Sequence, residues 1–198
     1  MRLALASLTF FAALPLAGAA ELCKVKGPEY LQDPDFAIEA ENKRSKHWTG
    51  VQHAGERSFV PTIEAGVLRI EKVGTQPWYI YRQRMQPADM GGKRMVFSAE
   101  LKLDLTQPER SGMDRDGGGL QMTVRSRNGD TLYASFPHEP HIGETDWFPA
   151  QLVVKVPRNA ALVEPAIRHQ ADGSLQVRNL SLREADGPCR ITPELSPK

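Results

Sequence analysis

Neither sign of charge prevails in these 198 residues: 25 lysines and arginines stand against 24 aspartates and glutamates, a net charge of +1. That balance argues against the basic footprint of a nucleic-acid partner or of an obligatory anionic-membrane partner. Cysteine is scarce, with only Cys23 and Cys189. There is no C-x-x-C and no third ligand at useful spacing, so a metal or thiol-redox centre lacks support. Nucleophilic catalysis is equally bare, with no G-x-S-x-G elbow and no free thiol in view. Gly117-Gly118-Gly119 lacks the Lys-Ser/Thr of a phosphate loop. Asp114-Arg115-Asp116-Gly117 begins like a calcium loop, but Arg125 stands where the bidentate glutamate belongs. His138-Glu139-Pro140-His141 is not the helical H-E-x-x-H motif, because Pro140 prevents a helix. These histidines read as solvated loop residues, with ligand contact as the alternative.

Long apolar runs are missing too, apart from one at the start. Leu3 to Leu16 is uncharged and mostly apolar, preceded by Arg2 and followed by Ala17-Gly18-Ala19-Ala20. It is shorter than the roughly 20 apolar residues of a membrane-spanning helix and ends in small residues suited to signal peptidase. The expectation is a signal peptide over residues 1–20, cleaved after residue 19 or 20, and a periplasmic or secreted product with no membrane span after its removal. Residues 21–198 are then one domain with a full-sized core. In an oxidising compartment Cys23 and Cys189 most simply pair with each other.

What is present is period-two alternation. Met95, Phe97, Ala99, Leu101 and Leu103 fall on one face, and Ser98, Glu100 and Lys102 on the other. Nine residues at that period predict a half-buried strand. Val67–Lys72, Trp78–Gln86, Leu120–Ser126, Thr131–Phe136, Phe148–Val156, Ala161–His169 and Ser174–Arg183 read as further strands. Asn128-Gly129 predicts a tight hairpin turn with positive φ at both residues, and Asp172-Gly173 another turn. Cys23 to Asn42, broken by Pro28 and Pro34, reads as an irregular lead-in, and Leu105 to Gly119 as a long polar loop. This pattern predicts an all-β chain folded as an antiparallel β-sandwich.

The second half carries Gly92-Lys93-Arg94 before Phe97-Ser98-Ala99-Glu100-Leu101, then Gly118-Gly119-Leu120. Gly143-Glu144-Thr145-Asp146-Trp147 follows, and then Val154-Lys155-Val156-Pro157-Arg158-Asn159-Ala160. In order and spacing this resembles the β-jelly-roll, galactose-binding-like domains of the carbohydrate-binding module type, over Trp78 to Arg183. The resemblance implies a jelly roll and points toward carbohydrate as the partner. Some relatives hold a structural calcium through acidic residues of the last strand. Ser174 to Leu180 lacks them, so no cofactor is expected and calcium is not favoured.

Sugars offer CH faces that stack on rings and hydroxyls that bond planar polar groups. Trp48 and Trp78 lie near strand starts, where they could serve as platforms. Arg82, Arg84, Gln121, Arg125, Glu164 and Arg168 fall on the outward parity of their strands. Together they predict an arginine-rich polar groove suited to acidic or highly hydroxylated glycans, against the plainer reading of a solvated sheet face with weak ion pairs. Trp147 is expected to pack under the sandwich edge. The leading functional expectation is a non-catalytic carbohydrate-binding domain. A structural or protein-interaction module of the cell envelope is the alternative, with its partner unknown, and a polysaccharide-active enzyme the third reading.

Overall fold

The computed structural model describes residues 22–37, 45–87, 89–109, 116–135 and 141–192. The expected signal peptide, Asp114-Arg115 and His138 lie outside them. No helix among the described residues is long and apolar enough to cross a membrane.

The described chain forms eleven strands: β1 (Val25–Lys26), β2 (Thr49–Gln52), β3 (Phe59–Glu64), β4 (Val67–Lys72), β5 (Tyr79–Arg82), β6 (Arg94–Thr106), β7 (Gly117–Ser126), β8 (Thr131–Ser135), β9 (Gly143–Lys155), β10 (Ala160–Gln170) and β11 (Asp172–Ala185). Six of them make one sheet in the order β3-β4-β11-β6-β9, with β1 added on β11. The other five make the second, in the order β2-β5-β10-β7-β8. Every pairing is antiparallel. The inner faces of the two sheets share one core. Phe97, Leu101 and Leu103 from β6 are buried with Leu120, Met122, Val124, Val163 and Ile167 from the opposite sheet. Each such side chain removed from water contributes about 1.5–3 kcal/mol. The all-β sandwich is thus the observed architecture.

Several local expectations are corrected. The β6 strand runs past Leu103 to Thr106, and the three glycines expected to end a polar loop instead open β7. A Cβ on Gly118 would sit 3.0 Å from Leu105 and 3.2 Å from Leu175, so the small residue lets β7 approach the facing sheet. The β7–β8 hairpin has a three-residue loop: Ser126 N donates to Asp130 O, and Gly129, at φ +88°, is the residue in the left-handed region, not Asn128. Asp172-Gly173, expected as a turn, opens β11, with Gly173 at φ +94°. The chain there leaves β10 in one sheet and enters β11 in the other. Gly143 to Trp147 is the first part of β9 rather than a turn before a strand.

The lead-in segment is a strap with partners of its own. Glu29 accepts from Leu182 N at 2.8 Å and from the Ser181 hydroxyl at 2.7 Å, while Gln83 and Gln32 exchange two hydrogen bonds. These bonds seat Leu31 and Phe36 in the core. The Cys23–Cys189 disulfide, with 5.9 Å between Cα atoms, ties the start of this strap to the segment after β11.

His169 is fully buried on the inner side of β10, edge-on to the Phe59 ring at 5.2 Å. Burial, aided by the nearby Lys72 charge, lowers its pKa to about 4, with Asp172 opposing. The unfolded chain therefore takes up a proton near pH 6.5 that the folded chain refuses until about pH 4. The stability from this group is complete above pH 6.5 and is lost as pH falls toward 4, a drop of about 3 kcal/mol in all. Urea midpoints measured from pH 7 to 4 should fall in that window, and the fall should flatten in His169→Leu.

Candidate functional site

In a strand, alternate side chains share a face. On the five-stranded sheet, Tyr79 and Tyr81 of β5 point into the core, which leaves Ile80 and Arg82 outside, with Trp78 and Arg84 at the same parity beyond the strand ends. On β10 the outward set is Glu164, Ala166 and Arg168, and on β7 it is Gln121, Thr123 and Arg125. The register aligns them: Arg82 lies opposite Ala166, which lies opposite Gln121, and Glu164 lies opposite Thr123. Seven of the eight residues expected in a binding groove, Trp78, Arg82, Arg84, Gln121, Arg125, Glu164 and Arg168, therefore share one outer face.

Glu164 organises this face. Its Oε1 accepts from Arg82 Nη1 at 3.1 Å and lies 3.2 Å from Arg84 Nε as an ion pair, and its Oε2 accepts from Arg125 Nε at 2.9 Å. Although it sits on the outward parity, it is only 3 % exposed, because the guanidiniums lie over it. Arg125 also donates to the Thr131 hydroxyl at 3.0 Å, which fixes its plane. Further along the groove Arg168 donates to Gln121 Oε1 at 3.0 Å, and the Gln121 amide donates to the Thr123 hydroxyl at 3.3 Å. Burial lowers the pKa of the Arg168 guanidinium, which stays charged at neutral pH because an arginine starts so high. Trp78 closes the far end, half-buried, with the His53 ring edge-on at 6.1 Å. Thr123, outward by the same parity as Gln121 and Arg125 but not among the expected binding residues, joins the face.

Trp48 does not join them. It is 3 % exposed, inside the sandwich, stacked on Tyr81 at 6.0 Å and tilted against Phe36 at 5.7 Å, with its indole N–H donating to Asp33 O at 3.2 Å. It walls an inter-sheet cavity of about 440 Å³ at the edge between β2 and β3 rather than the outer groove. Trp48→Ala should cost about 3–5 kcal/mol of stability, as aromatic truncations in cores do. Trp78→Ala should leave the thermal midpoint within a few degrees of the parent. Paired thermal melts of the two variants separate these roles.

Trp147 is corrected as well. It is half-buried on the outer side of the six-stranded sheet, with the Arg178 guanidinium 4.1 Å from its ring centroid and Arg178 Nε donating to Glu100 Oε2 at 2.6 Å. That sheet face carries charges paired one to one, including Lys102–Asp146 at 3.1 Å and Arg69–Glu71 at 3.6 Å. Among the described residues it has no counterpart to the Glu164 cluster. His141, expected as a solvated loop residue, is half-buried: its backbone bridges to Gly118, its ring meets Phe148 edge-on at 4.8 Å, and burial lowers its pKa.

No family model matches the sequence, and no curated protein matches it at a significant level. Solved structures do match. The CBM22-1 xylan-binding domain from Paenibacillus barcinonensis Xyn10C superposes with a TM-score of 0.53 at 14 % identity, covering 86 % of this chain and 100 % of that one. A CBM4 structure superposes at 0.51 and 13 % identity, covering 77 % and 98 %. The fold is the jelly roll of the carbohydrate-binding modules. The same jelly roll aligns with the enzymatically active domain of bacteriophage CBA120 tailspike protein 4 at a TM-score of 0.60 and 13 % identity. That match covers 79 % of this chain, which spans about a fifth (21 %) of the tailspike chain.

Proposed function

We propose that this chain is a non-catalytic carbohydrate-binding domain of an exported protein, and that it holds a glycan along the outer face of its five-stranded sheet. The observation that carries this reading is the convergence of Trp78, the Arg168–Gln121 pair and the Glu164 cluster on a single face. Planar guanidinium and amide groups offer several donors in fixed planes, which suits adjacent sugar oxygens, and a half-buried indole suits a sugar CH face. The carbohydrate-binding modules among the structural neighbours support glycan over other ligands. The expected signal peptide and the Cys23–Cys189 bond support export.

The non-catalytic part of the reading rests on Glu164. Glycoside hydrolysis uses a pair of carboxyl groups about 5–9.5 Å apart, one of them free to exchange a proton with the leaving group. Both oxygens of Glu164 are instead occupied by guanidiniums. Affinity electrophoresis through gels loaded with plant and bacterial polysaccharides tests the proposal. Retardation should appear in at least one gel and weaken about tenfold or more in Trp78→Ala and Arg168→Ala, as for groups at the centre of an interface. Arg69→Ala, on the other sheet, should migrate as the parent does. Unretarded migration through the whole panel would refute the assignment.

A further inference from the structure

The groove does not stop at the Glu164 cluster. At the same end of the sheet, the exit of β5 (Gln86, Pro87), the exit of β7 (Arg127) and the entry to β10 (Arg158 to Ala161) line an open cavity of about 740 Å³. This is within the range of roughly 300–1,000 Å³ that small-molecule sites occupy. Gln86 is two residues from Arg84, Arg127 two from Arg125, and Ala160 four from Glu164. At a strand rise of about 3.3 Å per residue, the cavity begins some 7–13 Å from the cluster, about one or two sugar units along. Both charged side chains among its described lining residues are guanidiniums, Arg127 and Arg158, and neither makes an ion pair within the described residues. Arg158, exposed, lies over Gly92, where an added Cβ would be 3.2 Å from its Nε.

The charges of the described residues around the cluster point the same way. One carboxylate, Glu164, is shared by Arg82, Arg84 and Arg125, so two of those three positive charges are uncompensated within the cluster. Two acids of the neighbouring described segments are Asp89 and Asp130, and only Asp89 has a cationic partner. Asp89 accepts from Tyr30 at 2.6 Å and from Lys93 at 2.9 Å, and Asp130 accepts from the Ser126 hydroxyl at 3.4 Å. With Arg82, Arg84, Arg125, Arg127 and Arg158 set against Glu164 and Asp130, the described residues of a protein of net charge +1 gather a positive excess at one end of one face. A neutral glycan would gain little from that excess. A carboxylate or sulfate ester would meet two unpaired guanidiniums, which bind such groups through paired N–H donors.

We infer, resting on the glycan reading above, that the ligand is an acidic polysaccharide, and that Arg127 and Arg158 take its anionic substituent in the cavity beyond the Glu164 cluster. Calorimetric titration at low salt should use tetragalacturonate, its fully methyl-esterified form, a sulfated dextran oligosaccharide and the unsulfated parent. At least one anionic form should bind about tenfold or more tighter than its neutral counterpart, and which of them does so distinguishes carboxylate from sulfate. That advantage should shrink as salt is raised and should vanish in Arg127→Gln/Arg158→Gln. Arg127→Lys/Arg158→Lys should restore part of it, which guards against a folding defect in the glutamine variant. Equal binding of charged and neutral forms, or an undiminished preference in the glutamine variant, would overturn the inference while leaving glycan binding intact. Binding of no glycan, charged or neutral, would remove both.

Discussion

Reducing the Cys23–Cys189 bond is expected to lower stability by about 5 kcal/mol, among the largest single effects in this protein. The two residues are 166 positions apart, with Cα atoms at 5.9 Å. In the chain-entropy account, a cross-link closing so long a loop withdraws about 5 kcal/mol of freedom from the unfolded ensemble. The bond also holds the strap: Cys23 precedes β1, which pairs with the last residues of β11, and the small cluster of Val96, Val153 and Ala185 packs against both cysteines. Urea titrations with and without reductant, or of Cys23→Ala/Cys189→Ala, measure the loss. With a slope of roughly 2 kcal/mol per molar urea, the midpoint should move by about 2–3 M. A shift under 0.5 M would mean that the strap is held by Glu29 and the Gln32–Gln83 pair alone.

Glu164→Ala should be the most damaging polar substitution. It removes the carboxylate that pairs with three guanidiniums and leaves them facing one another. Taking one partner from a buried ion pair costs about 3–5 kcal/mol. The lower end applies here, since the Arg82, Arg84 and Arg125 side chains are 27 %, 57 % and 37 % exposed and water screens what remains. Glu164→Gln keeps an acceptor oxygen and should lose less. Glu71→Ala, an exposed strand carboxylate on the other sheet, should lie within about 0.5 kcal/mol of the parent. Chemical denaturation of the three variants ranks them, and Glu164→Ala no worse than Glu71→Ala would mean the cluster is not a structural unit.

The face was legible in the sequence because alternation is all it needs. Once Tyr79 and Tyr81, Met122 and Val124, and Val163 and Ile167 are assigned inward, the side on which Arg82, Arg125 and Glu164 stand follows, and pairing between the strands does the rest. Trp48 defeated the same logic. It precedes β2 among polar neighbours, and its burial comes from Phe36 on the strap and Tyr81 on β5, contacts remote in sequence. The short strands β1, β2 and β3 were unreadable for related reasons. β3 carries Pro61, which an edge strand tolerates but which breaks the usual strand signal, and β2 has Gly50 where a Cβ would strike the Tyr79 hydroxyl. The glycines of β7 looked like loop because their use is close approach between sheets. The Arg127–Arg158 cavity had no linear signature at all, since three strand ends meet to build it.

In the proposed complex, glycan lies along the outer face of the five-stranded sheet. Backbone amide shifts recorded during titration with the polysaccharide fragment that binds best test it most directly. Perturbations should cluster at 78–84, 119–125 and 164–168, spreading toward 127 and 158, with the outer face of the six-stranded sheet around Glu100, Trp147 and Arg178 unmoved. Perturbations centred on Trp147 and Arg178, or on the inter-sheet cavity beside Trp48, would contradict it.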